Sequence, residues 1–92
     1  MDKFIIRVVL HSADSEDYER LHELMEAKRY SRQLKDVNGQ VFQLPDAEYY
    51  AEKPLSALSV RNEVKNLSDS IVPGSFVLVT KADDISWYLQ PI

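Results

Sequence analysis

The chain has 92 residues, 45% of them apolar and 28% charged, with no cysteine and a formal net charge of −4. These figures fit one globular domain and exclude a disordered chain, a disulfide-stapled fold, thiolate chemistry and a cysteine-built zinc site. The acidic balance also weighs against tight, sequence-independent binding of nucleic acid, which depends on cations, although it leaves room for a local basic patch.

The first element is "KFIIRVVLH", Lys3 to His11. Phe4, Ile6, Val8 and Leu10 fall on one face and Ile5, Arg7 and Val9 on the other, the pattern of a central β-strand. Its apolar run is short and carries Arg7, so it is read neither as a signal peptide nor as a membrane span. A cytoplasmic location is the expectation. A helix is predicted from about Asp14 to Arg29. Asp14 is the expected N-cap, Glu16, Asp17 and Glu19 suit the positive end of the helix dipole, and Lys28 and Arg29 suit the negative end. Tyr18, Leu21 and Met25 recur at helical spacing, with His22 beside them as a half-buried packing residue.

Two β-like runs, "YSRQLKDV" and "QVFQL", flank Asn38-Gly39, a strong hairpin signal. A two-residue turn would pair Lys35 with Phe42 and put Arg32, Leu34 and Asp36 on the same open face as Arg7. A bulge would reverse this, turning Gln33 and Lys35 outward and Leu34 inward. The bulge-free register is the favoured expectation. The segment "PDAEYYAEKP" reads as irregular or as an edge. A second helix is predicted over Ala57 to Ser70, with Ser56 as N-cap and Ala57, Val60, Val64, Leu67 and Ile71 as its apolar stripe. "SFVLVT", Ser75 to Thr80, is a second buried-type strand, and "ISWYLQPI" reads as a short strand or clasp.

The order β-α-β-β-α-β predicts a single α+β domain, residues 1–92. It is a ferredoxin-like sandwich, with a four-stranded antiparallel sheet and two helices on one face. Ile5, Val9 and the apolar side of the last strand leave an uncovered face, which is expected to bury itself in a homodimer through the open face or a sheet edge.

Motifs that carry chemistry are few. There is no glycine-rich phosphate loop, nucleophile elbow, H-E-x-x-H pair or EF-hand loop. No metal site and no cofactor are therefore expected. His11, at the end of the first strand, has the side chain suited to general acid–base work, weighed against a histidine that merely bonds its own loop. The stretch "EAKRYSRQLK" concentrates Lys28, Arg29, Arg32 and Lys35 around Tyr30. Lys28 and Arg29 are accounted for by the helix end, which leaves Arg32 and Lys35 as the informative pair. Tyr30, Tyr49, Tyr50, Trp87 and Tyr88 are the rings that could stack on bases, weighed against ordinary packing of amphipathic aromatics.

Together "FIIRVVLH", "YERLHELMEAKRYSRQL", "GQVFQLPDAEYY" and "SWYLQPI" resemble the bacterial GhoS family, over nearly the whole chain and in the same order. The resemblance implies a ferredoxin-like domain akin to the small CRISPR-associated nucleases. It also implies the role of an antitoxin in a type V toxin–antitoxin pair, acting as an endoribonuclease on the message for a small membrane toxin. Those CRISPR-associated relatives carry a metal-binding acid at the end of the first strand, where this chain has Leu10-His11 and the nearest acid is Asp14. Any cleavage is therefore expected to be metal-free, with His11 as acid or base and Arg7 or Arg32 stabilising the phosphorane. The expected function is binding of single-stranded RNA, with endoribonuclease activity as its enzymatic form. Arg29, Tyr30, Arg32 and Lys35 are the expected RNA contacts. The competing expectation is a non-catalytic dimeric interaction or regulatory module.

Overall fold

The computed structural model describes residues 1–92. Seven elements follow in order: β1 (Asp2–Val9), α1 (Ser15–Ala27), β2 (Gln33–Lys35), β3 (Val41–Gln43), β4 (Glu48–Lys53), α2 (Ala57–Asp69) and β5 (Phe76–Ala82). The fold class is α+β, with two helices and two antiparallel sheets. The main sheet has three strands in the order β4-β1-β5, while β2 and β3 form a separate two-stranded sheet. The expected four-stranded sheet does not form as such. Its place next to β1 is taken by β4, an edge strand formed by the segment read from sequence as irregular or as an edge, and the Asn38-Gly39 hairpin stands outside the main sheet. A single antiparallel bridge, Ser31 to Tyr50, joins the hairpin's approach to β4.

The core follows from the alternation in β1. Phe4, Ile6 and Val8 are fully buried and meet Leu21 and Met25 of α1, Val60 and Val64 of α2, and Tyr49 and Ala51 of β4. Burial of this apolar surface, at roughly 25 cal/mol per Å², is the main driving force for the fold. The antiparallel registers put Ile5 between Tyr50 and Thr80, Arg7 between Glu48 and Leu78, and Val9 beside Phe76 on the opposite face.

Both helices start as their caps predict. Asp14 Oδ1 accepts from Asp17 N at 2.9 Å while Asp17 Oδ2 accepts from Asp14 N at 3.2 Å, a reciprocal capping box. Ser56 Oγ accepts from Ser59 N at 3.1 Å. Helix α1 ends in a Schellman motif, with Arg29 N donating to Glu26 O and Tyr30 N to Met25 O. The residue this motif holds in the left-handed region is Arg29, at φ +66°.

The hairpin settles the open question of register. Gln33 pairs with Gln43, Leu34 with Phe42 and Lys35 with Val41. The loop therefore has three residues, Val37 to Gly39, with Gly39 at φ +85°, the geometry of a type I turn closed by a left-handed bulge residue. The favoured two-residue turn is thus corrected by one position. Leu34 is buried and Lys35 exposed. The tail acts as a clasp: Ile92 N donates to Val41 O at 2.9 Å and Gln43 N to Gln90 O at 3.3 Å. Ile85, Trp87 and Leu89 gather with Ile5, Leu34 and Leu44, so the tail and hairpin roof the Ile5 end of the second sheet face. Its β5 side stays bare, with Phe76 and Leu78 exposed to 67% and 65%. No helix is long and apolar enough to cross a membrane.

Candidate functional site

The residues expected to act together are dispersed. His11 lies in the turn after β1, and its ring meets Phe76 edge-on at 4.4 Å. Arg7 is two rows further along the second face, across from Leu78, and Phe76 stands between it and His11. The expected His11–Arg7 pair is therefore not assembled. Tyr30 is fully buried. Its hydroxyl donates to Glu63 Oε1 at 2.7 Å, and Lys53 Nζ sits 4.3 Å from its ring centroid. The ring holds α1 against α2 and β4 and is not offered to a base, which corrects its place among the RNA contacts. Arg29 is exposed at the helix end. Arg32 and Lys35 point to opposite sides of their strand, as alternation requires, but Arg32 does not meet Arg7.

Arg32 instead enters a cleft of about 490 Å³ lined by Ser15, Tyr18, Glu19, His22, Asp46 and Ala47. Helix α1 supplies one wall at helical spacing, and the turn before β4 supplies the other. In that turn Glu48 N donates to Pro45 O and Ala47 takes φ +69°. His22 Nδ1 is 2.5 Å from the hydroxyl of Tyr49, which is fully buried. Burial holds the Tyr49 phenol well above its usual range, so it stays protonated at neutral pH. It has no other hydrogen-bond acceptor, and it therefore donates to Nδ1. The imidazole proton is then on Nε2, an assignment that rests on this hydrogen bond.

Burial, and next the Arg32 guanidinium, lower the His22 pKa below its ordinary value, against the pull of Asp46, Glu19 and Glu26. At neutral pH the ring is an uncharged donor. Arg32 takes part in none of the three ion pairs, which join Lys53 to Glu63, Lys65 to Asp69 and Lys81 to Asp2. The cleft thus offers a guanidinium and an imidazole N–H, a donor set suited to one phosphate or carboxylate group, beside the carboxylates of Glu19 and Asp46 on its walls.

Lys35 lines a second cleft, of about 480 Å³, on the other side of β2. Lys3, Tyr50, Glu52, Asp84, Ile85 and Trp87 surround it. No cluster of three His, Asp or Glu side chains has metal-binding geometry. His22 is half-buried against Tyr49, as its sequence position suggested for a packing residue, but its place in the cleft with Asp46 was not legible. His22 sits beside an apolar helical stripe, where histidine usually packs, and its partners come from residues 24 and 27 positions away. No family model matches the chain, and no curated protein is significantly similar to it.

Proposed function

We propose that the protein binds single-stranded RNA, with one phosphate seated between Arg32 and His22. The observation that carries this reading is Arg32, an unpaired guanidinium turned into a cleft whose other donor is the Nε2–H of His22. The resemblance to the GhoS family supplies the polymer class, and the single Ser31–Tyr50 bridge fits a ferredoxin-like sheet whose fourth strand is reduced to one pair. His22 is arranged to donate and not to accept a proton while Tyr49 holds Nδ1, so the cleft favours binding over base-catalysed cleavage.

The test is fluorescence anisotropy of a labelled single-stranded RNA at several salt concentrations. With one to three phosphates neutralised, log K falls against log salt with a slope of about −0.7 to −2. Arg32→Ala is expected to weaken binding about tenfold, the loss of one charge-assisted contact. Absence of binding to wild-type protein at low salt would overturn the reading.

The alternative, a non-catalytic dimeric interaction module, draws on a different observation. Phe76 and Leu78 stand bare on an edge strand, the kind of surface that a second copy covers. Sedimentation of wild-type protein against Leu78→Glu tests it: a dimer that the variant abolishes supports the module, and a monomer at every concentration removes it.

A further inference from the structure

We infer that the second cleft, between the hairpin and the C-terminal tail, is a nucleobase subsite that takes a base bearing an exocyclic amino group. The inference rests on the RNA reading and extends it to a place and a preference. Trp87 and Tyr50 both line this cleft, with Leu34 and Ile85 as apolar neighbours. Trp87 is braced from one side by Phe42, whose ring meets it at 5.8 Å and 64°. The clasp hydrogen bonds from Ile92 N to Val41 O and from Gln43 N to Gln90 O fix the tail that carries it. A ring held in this way loses little freedom when a base stacks on it, and stacking contributes about 1–3 kcal/mol per base.

The charges in the cleft define the ligand further. Lys3 and Lys35 are in no ion pair and suit phosphates flanking a stacked base. Three carboxylates are also present, and they differ in what remains free. Asp36 Oδ1 is taken by Asn38 N and Gln40 N, both at 2.9 Å. Glu52 shares one side of β4 with Tyr50, whose pKa is raised first by burial and next by the Glu52 charge. Asp84 makes no hydrogen bond or ion pair within the chain, so its oxygens are available as acceptors. A carboxylate acceptor at the wall of an aromatic cleft pairs with an amino donor, as on cytosine or adenine, whereas uracil lacks the amino group and offers only its recessed ring N3–H.

Trp87 is the only tryptophan, so its fluorescence reports this cleft directly. The experiment titrates wild-type protein with oligo(A), oligo(C) and oligo(U) of equal length. It follows Trp87 emission together with the anisotropy of the labelled strand. The expected result is quenching that saturates with the anisotropy, and binding of oligo(A) and oligo(C) about tenfold tighter than oligo(U), the value of one good base contact. Asp84→Ala removes the acceptor and is expected to bring the three affinities together without unfolding the chain, since Asp84 is exposed. Trp87→Phe keeps a ring for Phe42 and is expected to retain most of the affinity, whereas Trp87→Leu loses it about tenfold. RNA binding by anisotropy with unchanged Trp87 emission, or with equal affinity for the three strands, would overturn the subsite while leaving RNA binding intact. No anisotropy change for any strand would remove the RNA reading and the subsite with it.

Discussion

The Tyr30 hydroxyl donates a 2.7 Å hydrogen bond to Glu63 Oε1, and Lys53 Nζ reaches the same oxygen at 3.4 Å while donating to Lys28 O at 2.7 Å. Three elements meet there: the end of α1, the end of β4 and the middle of α2. Tyr30→Phe keeps the ring in the core and the cation over its face, and removes only the hydroxyl. The expected cost is about 1–2 kcal/mol, the range of a hydrogen bond to a charged acceptor at a partly exposed site, measured by urea unfolding. A change near zero would show that water replaces the bond.

The same junction makes a prediction in pH. Burial pushes the Glu63 carboxyl up, but the Tyr30 hydrogen bond and the Lys53 charge outweigh it, and the folded pKa lies below the ordinary value. A depressed folded pKa gives stability that is complete above the unfolded value and is lost as pH falls through the folded one. Glu63→Gln is therefore expected to be less stable than wild type at neutral pH. The difference should narrow as the pH falls below about 4.5. Unfolding curves that remain parallel down to pH 3 would exclude this role.

At the end of α1, Arg29 occupies the left-handed position that a Schellman motif usually gives to glycine. Relief of the Cβ–carbonyl crowding stabilises, and the added freedom of the unfolded chain offsets part of it. Arg29→Gly is expected to raise stability by about 0.5–1 kcal/mol. The variant also separates two roles for an exposed cation. If Arg29 contacts RNA, affinity falls while the melting temperature rises. If its charge is unused, only the melting temperature changes.

His22 sets a second pH dependence, in a higher window. Its folded pKa is lowered, first by burial and then by Arg32. Its contribution is thus complete above about pH 6.5, the unfolded value, and is lost as pH falls through the folded value. Protonation at Nδ1 would also reverse the Tyr49 contact, the hydroxyl then accepting and its own buried proton losing its acceptor. Wild-type protein is expected to lose more stability than His22→Asn between pH 7.5 and pH 5, by thermal melts in matched buffers. Equal losses would show that some other group carries the acid sensitivity.

Much of the fold was legible wherever one residue type dominated a short window. The alternation in β1 named its buried face, and Asp14 and Ser56 named the starts of both helices. The three-strand sheet was less legible, because "EYYAEK" lacks β-branched residues and carries two acids. Its strand character comes from pairing with β1, which buries Tyr49 and Ala51, a tertiary effect absent from the local sequence. The candidate site was the least legible part. Lys35 could be placed from alternation once the register was known. The cleft itself needed the turn at Asp46-Ala47 to come up against His22 and Arg32, which precede it by 14 to 25 positions, and no periodicity encodes that. Tyr30 illustrates the opposite error: a ring inside a basic stretch looked available, but the Schellman motif turns it back into the core.

The hairpin register yields the last prediction. Asp36 N donates to Gln40 O and Gly39 N to Asp36 O, at 2.9 Å and 3.1 Å, and Asp36 Oδ1 caps the loop from within. Gly39 stands at φ +85°, and a Cβ built there would touch nothing within 4 Å. The cost of a side chain is therefore conformational and not steric contact. Gly39→Ala is expected to lose about 1 kcal/mol and Gly39→Asn markedly less, because asparagine tolerates the left-handed region. Asp36→Ala removes two acceptor contacts and is expected to cost about 1–2 kcal/mol. Lys35 and Val37 lie in this hairpin and line the cleft with Trp87, so Gly39→Ala should also shift Trp87 emission, whereas Gly39→Asn should leave it near wild type. Alanine and asparagine variants of equal stability would mean that the loop does not hold Gly39 in the left-handed region, and the Lys35–Val41 pairing would then need to be redrawn.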